Sequence, residues 1–149
     1  MYYAKGKLRL IVRWQIPRST EMILIFEDNM DIALVLKRMF NLIFHEHCVI
    51  TCNCAVAVNM VLAGEIEVVL SDLNIDGHMG QGLDLIRKIK KIRPHTSPPI
   101  VVYTGLSKGD STYNEAERFS DRIFEKSEIS FPQLCREICR LIRLRRINP

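Results

Sequence analysis

From Met22 onward, short runs of β-branched and aliphatic residues alternate with amphipathic stretches. This rhythm is that of β–α–β units, in which a parallel sheet is covered by helices on both faces. The predicted strands are 22–26, 48–52, 67–70, 100–103 and 121–125. Between the first two, Ile32, Val35, Leu36, Met39 and Phe40 recur at helical spacing, so the first helix is expected to bury that stripe. Residues 56–63 and 83–92 read as the second and third helices. Segment 108–119 is polar and broken by Gly109, which makes the fourth helix the weakest and the most mobile expected element. The fifth is marked by Ser130 and Gln133 at capping-box spacing, followed by Phe131, Leu134, Cys135, Ile138, Leu141 and Ile142 on one face. Its basic end suits a helix C-terminus.

Residues 1–21 do not join this rhythm. Segment 8–14 reads as a short extra strand at an edge, or the whole stretch as a flexible arm, and Met22 directly opens the first strand, where the natural chain is expected to begin on one reading. The division expected is therefore an extension over 1–21 and one domain over 22–149. A length of 149 residues suits a single domain with a real core. The net charge of +4 resides in the extension, where Lys5, Lys7, Arg9, Arg13 and Arg18 have no acid among them. Beyond it acids and bases balance, so nucleic-acid binding is not expected. No apolar run approaches the ~20 residues that cross a bilayer, so no membrane role is expected. Five cysteines, an odd number without a signal peptide, point to free thiols in the reducing cytoplasm. Cys52 with Cys54 and Cys135 with Cys139 are spaced so that a four-thiolate metal site is conceivable, but thiols among Leu and Ile read first as core. His45 and His47 read as a polar turn.

Ligands of a doubly wound sheet collect beyond the carboxyl ends of its strands. The residues found there are Glu27 and Asp28 after the first strand, Asp72 after the third, Thr104 after the fourth and Lys126 after the fifth. Carboxylates crowded on one rim repel unless a cation sits among them, and a hard divalent ion such as Mg²⁺ is the usual answer. With such an ion to offset charge, Asp72 could attack a phosphoryl group as an oxygen nucleophile. Lys126 would then pair with a phosphoryl oxygen and the Thr104 hydroxyl would donate to another.

The stretches Met22-Ile-Leu-Ile-Phe-Glu-Asp-Asn, Val69-Leu-Ser-Asp-Leu-Asn, Ile100-Val-Val-Tyr-Thr-Gly and Ile123-Phe-Glu-Lys resemble the receiver domain of two-component response regulators, similar to the single-domain chemotaxis regulators. The resemblance implies a flavodoxin-like, doubly wound five-stranded parallel sheet of order 2-1-3-4-5 with five helices. It implies Asp72 as phosphoacceptor and Mg²⁺ held by Glu27, Asp28, Asp72 and the backbone carbonyl of Asn74. It further implies Thr104 as the switch hydroxyl, Lys126 as the phosphate-pairing lysine, and Gly105 as a small residue leaving room for the phosphoryl group. The chain departs from the pattern in four places: Ile75-Asp76 replaces Met-Pro, the loop from Asp76 to Gly82 is two residues longer, Ser127 replaces proline, and Ile123 stands where an inward-swinging aromatic is frequent.

The expected function is that of a stand-alone phosphorylation switch, a phosphoacceptor and not an enzyme beyond catalysing its own phosphorylation and dephosphorylation. Its last helix reaches Arg146 just before Pro149, so its signal is expected to leave by contact with another protein. Expected partners are a sensor histidine kinase or histidine phosphotransfer protein, a downstream protein target, and a second copy in a homodimer. The alternatives are a receiver-fold interaction module independent of phosphorylation, an aspartyl-phosphate phosphatase, and a flavin-binding protein. The phosphatase usually needs an acid where Asn74 stands, and a flavin phosphate loop would replace Glu27 and Asp28.

Overall fold

The computed structural model describes residues 21–148, so the extra strand or arm expected over 1–20 lies outside the described residues. In chain order the elements are β1 Met22–Phe26, α1 Met30–Met39, a single π-helical turn Phe40–Phe44, β2 Cys48–Thr51, α2 Cys54–Ala63, β3 Ile66–Ser71, β4 Asn74–Ile75 and β5 His78–Met79. They continue with α3 Gln81–Ile92, β6 Ile100–Thr104, α4 Ser111–Phe119, β7 Arg122–Glu125 and α5 Phe131–Ile147. Five parallel strands form one sheet of order β2-β1-β3-β6-β7. This is the expected 2-1-3-4-5 order, renumbered because an unforeseen hairpin, β4–β5, intervenes.

Side chains alternate across a strand, and here both faces are buried, which is why β3 carries six buried residues in a row. On one face Ile23, Ile25, Val68, Leu70 and Val101 pack against Ala33, Leu36 and Phe40 of the first helical stretch and Leu134, Cys135, Ile138 and Ile142 of α5. On the other, Leu24, Phe26, Val69 and Val102 meet Ala57 and Val61 of α2, Leu83, Ile86 and Ile89 of α3 and Ala116 of α4.

One expectation needs correction. Val35 does not belong to the buried stripe of α1; it is 40% exposed, and Ala33 takes the inward place. Helical spacing admits either residue, and the smaller one allows the helix to lie closer to the sheet. The fourth helix is a formed element: Asp110 caps it by accepting from the N–H groups of Thr112 (2.8 Å) and Tyr113 (3.3 Å), and Tyr113 and Ala116 are buried. Gly109 lies before the cap, so it breaks the loop and not the helix. The capping box of α5 forms, with the Ser130 N–H donating to Gln133 Oε1 at 3.1 Å.

A buried acid ties the amino end of the sheet to the last helix. Glu67 on β3 is 4% exposed and receives two 2.8 Å hydrogen bonds from Arg146, one from Nε and one from a terminal nitrogen. Arg146 also grips Glu46.

The start of α3 fixes the loop that follows β3. A Cβ at Gly82 would lie 1.8 Å from the carbonyl oxygen of Asp72, a contact with backbone that no rotamer change relieves. Only glycine lets α3 begin so close to β3. Gly82→Ala is therefore expected to cost about 2–3 kcal/mol by overpacking. Urea denaturation would read this as a lowered midpoint at unchanged slope, and an unshifted midpoint would contradict the close approach.

Candidate functional site

The register of the sheet brings the expected acids to one level. Phe26 of β1 pairs with Ser71 of β3, so Glu27 and Asp72 follow on adjacent strands, and the Asp72 N–H still donates to the Phe26 carbonyl at 3.0 Å. Ser71 is fully buried, and its hydroxyl donates to the Asp72 carbonyl at 2.8 Å, which secures the same peptide that Gly82 packs against. On the far side of β6, the backbone N–H of Lys126 donates to the Thr104 carbonyl at 2.8 Å, extending the β6–β7 ladder by one step. That step aims the lysine back across the sheet.

Lys126 Nζ lies 2.6 Å from Asp72 Oδ2 and 2.9 Å from Glu27 Oε2, a single ammonium shared by two carboxylates 4% and 7% exposed. Its nitrogen also sits 5.4 Å from the centre of the Tyr103 ring, over a face that favours cations. The other oxygen of Asp72, Oδ1, accepts from the backbone N–H groups of Leu73 (2.6 Å) and Asn74 (3.2 Å). Asp72 is thus fixed in orientation by backbone, with Oδ2 turned to the lysine.

The electrostatics follow from burial and these partners. Burial pushes Glu27 above the usual carboxylate range, more than the Lys126 and Asn29 hydrogen bonds pull it down. Burial disfavours the Lys126 ammonium, but the hydrogen bonds to Asp72 and Glu27 outweigh that and hold its pKa above the ordinary value. Burial also acts upward on Asp28, and is outweighed by backbone hydrogen bonds, first among them that from Asp76, so Asp28 ionises more readily than usual.

The longer loop after Asp72 is a β-hairpin. Asp76 and Gly77 both have positive φ, 52° and 71°, the backbone of a type I′ turn between Ile75 and His78. Ile75 is fully buried and anchors the hairpin, while the Asp76 N–H donates to Asp28 Oδ2 at 2.7 Å. Leu73 and Gly80 form a hydrogen-bonded step, Gly80 N–H to Leu73 carbonyl at 3.1 Å, so the Asn74–Met79 pair above it is of the non-hydrogen-bonded kind. Both backbone groups of Asn74 therefore face away from β5, where its N–H meets Asp72 and its carbonyl lies on the same side.

Of the other expected residues, Thr104 is fully buried at the end of β6, and its Oγ1 accepts the Leu106 N–H at 3.2 Å. A Cβ at Gly105 would meet nothing within 4 Å, so the position opens onto free space. Ile123 is partly buried against the α2–α3–α4 core. The peptide bonds among the described residues are all trans, that before Ser127 included. Sequence reasoning missed the hairpin, whose signal was Asp-Gly; Gly82, for which sequence offered no signal; and the Tyr103 ring under Lys126.

The donor set, three carboxylates and a carbonyl, has the hard-oxygen chemistry that suits Mg²⁺. In the arrangement described, Lys126 occupies the space between Glu27 and Asp72, and no three His, Cys, Asp or Glu side chains among the described residues converge as a metal-holding group. A cation here would compete with the lysine for Asp72 Oδ2. The thiols form no metal centre either, since Cys135 and Cys139 are buried under α5 whereas Cys52 and Cys54 lie at the end of β2.

Comparison with solved structures finds the same fold repeatedly. The response regulator receiver domain protein from Clostridium thermocellum matches at TM-score 0.68 and 19% identity, over 87% of this chain and 99% of that one. A CheY-like receiver domain protein from Methanospirillum hungatei JF-1 matches at TM-score 0.70 and 16% identity, over 87% and 98%. A response regulator signal receiver domain from Bermanella marisrubri matches at TM-score 0.67 and 22% identity, over 83% and 98%. The chain thus has the receiver-domain fold. No sequence-family model matches it, and no curated protein matches it. No helix among the described residues is long and apolar enough to cross a membrane.

The raised pKa of Glu27 has a pH consequence. A carboxyl that binds its proton more tightly folded than unfolded adds stability below its ordinary pKa of 4.5, and that stability is lost as pH rises through the folded value. Urea midpoints of the native chain are expected to carry this decline above pH 4.5, and the difference from Glu27→Gln, which cannot ionise, should isolate it. Parallel pH profiles for the two proteins would contradict the burial-driven shift.

Proposed function

We propose that the chain is a response-regulator receiver that accepts a phosphoryl group on Asp72 in a Mg²⁺-dependent reaction and signals to partner proteins in the cytoplasm. The observation that carries this reading is the division of labour at Asp72: Oδ1 is held by two backbone N–H groups, and Oδ2 faces the one ammonium of the cup. Such a carboxylate is oriented as a nucleophile, with a cation already beside the oxygen that reacts.

Glu27, Asp28, Asp72 and the Asn74 carbonyl would hold Mg²⁺, which would supply positive charge against the carboxylates and the incoming phosphoryl group. The chain's own residues do the rest. Asp72 Oδ2 attacks phosphorus, the bond to the donor breaks, and the donor leaves with its electron pair. The Lys126 ammonium passes from Oδ2 to a phosphoryl oxygen, and its link to Glu27 keeps it on the rim. Thr104 Oγ1 accepts from Leu106 and keeps its own hydrogen for a second phosphoryl oxygen. Gly105 leaves the approach open.

The signal would run from Thr104 into residues 105–119. Tyr113 and Ala116 anchor that segment in the core, and its outer ties are the Lys108 N–H to Glu125 (3.2 Å) and the Arg87–Glu115 ion pair, both exposed and of modest strength. A charge gained at Asp72 is enough to bias such contacts. The donor in this reading is a sensor histidine kinase or a histidine phosphotransfer protein. The target is a downstream protein or a second copy in a homodimer, and the only catalysis is self-phosphorylation and self-dephosphorylation.

A second reading, an interaction module with this fold that does not depend on phosphorylation, is favoured by one observation: the seat between Glu27 and Asp72 is already taken by Lys126. Acetyl phosphate with Mg²⁺, read by intact mass, separates the two. The phosphoswitch predicts the gain of one phosphoryl group, abolished in Asp72→Asn and by chelation of the metal. No gain under any small-molecule or protein donor supports the module. With beryllofluoride and Mg²⁺ bound, amide exchange over 105–125 is expected to change, and unchanged exchange at full occupancy would overturn the proposed output route.

A further inference from the structure

β2 is an edge strand: it pairs with β1, and among the described residues no strand lies on its other side. A bare edge presents unpaired N–H and carbonyl groups, which proteins usually cover. Just ahead of β2, the π-helical turn carries two consecutive large apolar residues that face solvent, Leu42 (75% exposed) and Ile43 (60%). Beside them opens a groove of about 590 Å³, whose lining includes Met22, Asn41, His47 and Cys48. Asn41 belongs to the same turn, and its Oδ1 is sealed from water without a hydrogen bond.

The chain enters the sheet at this place. The Met22 N–H donates to the Glu65 carbonyl and the Ile23 N–H to the His47 carbonyl, each at 2.8 Å, and Glu65 and His47 both line the groove. Within the 20 residues that precede Glu21, Leu8, Leu10, Val12 and Trp14 alternate with Arg9, Ile11 and Arg13, the period of a strand with one apolar face. Residues 15–21 link Trp14 to Met22 and span up to about 23 Å when extended. The outer edge of β2 lies two strand spacings from β1, about 10 Å. A return antiparallel to β2 is therefore within reach, and it brings Trp14 to Cys48, at the groove. The indole N–H is a donor that needs an acceptor, and Asn41 Oδ1 is an acceptor without a donor. Charge agrees as well: the groove sets Glu21 and Glu65 against Lys37, and the segment brings Arg9 and Arg13 with no acid.

We propose that residues 8–14 dock on this face as a sixth strand of the sheet, antiparallel along the outer edge of β2, with Leu8, Leu10, Val12 and Trp14 turned towards α1 and the π turn and Trp14 seated in the groove. Main-chain hydrogen bonds to the edge supply the attachment, and the apolar face supplies the register. The occupant is this chain's own segment and not that of a second copy, because the short link to Met22 holds it beside the edge at high effective concentration. Docked there, the segment covers Leu42 and Ile43 and closes the β2 edge to other chains. It does so whether or not Asp72 is phosphorylated.

Trp14 is the sole tryptophan of the chain, so its fluorescence reports the contact directly. In the full chain its emission is expected to lie to the blue of its emission in urea, at a wavelength independent of protein concentration, and the amides of residues 8–14 are expected to exchange slowly. Leu42→Asp combined with Ile43→Asp, at positions open to water, should move the emission to the urea wavelength and remove the protection of 8–14 while the amides of β1 and β3 stay protected. Cys48, 8% exposed on the groove, should react faster with an alkylating reagent in that variant. Val12→Pro, which disrupts a strand without touching residues 21–148, should reproduce the loss. Native emission already at the urea wavelength, a blue shift that survives both variants, or one that grows with concentration, as exchange of the segment between two copies would give, would each overturn the proposal.

Discussion

Two carboxylates buried on neighbouring strand ends are an arrangement that folding must answer with a cation, and in this chain the answer is Lys126. The β1–β3 register places Glu27 beside Asp72, where each is almost sealed from water. Removing the ammonium would leave two uncompensated buried charges, at several kcal/mol each. The lysine arrives only because β7 lies next to β6 and its ladder runs one residue past Glu125. The order of the strands and the pairing of the site are therefore one constraint, met by residues far apart in sequence.

That answer is incomplete, and its incompleteness gives the cup its chemistry. One ammonium faces Glu27 and Asp72, while Asp28 on the same rim is satisfied by neutral backbone N–H groups and stays readily ionised. Glu27 remains harder to ionise than an ordinary glutamate despite a lysine at 2.9 Å. Three carboxyls share the rim with one ammonium, so a further cation reaching it would find oxygen donors that the lysine does not satisfy. Under the proposed function, the same imbalance draws in the divalent ion and then the lysine's transfer to the phosphoryl group.

The fold was legible because both of its periods are strong. All five sheet strands were read from the chain's alternation of apolar runs and amphipathic stretches, with no end shifted by more than one residue, and α5 was read from its capping box and its apolar face. The rim residues were legible as well, since each directly follows a strand. What escaped has physical causes. The hairpin strands are two residues long, too short for any period, and only Asp76-Gly77 announced them. The closeness of Gly82 to Asp72 depends on how α3 meets β3, which no local pattern encodes. Val35 was assigned to the buried stripe because it shares the spacing of its neighbours, and the choice between it and Ala33 is made by the distance of α1 from the sheet. The fourth helix was read from its segment, but its cap was not, because nothing in a polar stretch singles out Asp110 as the residue that closes its first turn.

The departures from the receiver pattern fall on two sides of the cup. The hairpin replaces a plain loop with a turn that is fixed at Ile75 below and at Asp28 above, so the wall over Asp28 is set by the protein and not by solvent. On the other side, Ile123 packs against the core where an aromatic would have room to rotate, and α4 is held by a cap and by Arg87. Under the proposed function, a fixed wall beside the acids and the absence of an aromatic at position 123 leave one path out of the site. It is the stretch from Gly105 to Gly109, held by the Lys108 N–H to Glu125 Oε1, the Thr104–Leu106 hydrogen bond, the Gly109 N–H to Asn114 Oδ1 and the packing of Leu106 against the core. Thr104 Oγ1 accepts the Leu106 N–H, so under the proposed function a change of its partner would be felt first at Leu106. Under the proposed function, the coupling between chemistry and surface would therefore run through a single hydroxyl and the backbone that follows it.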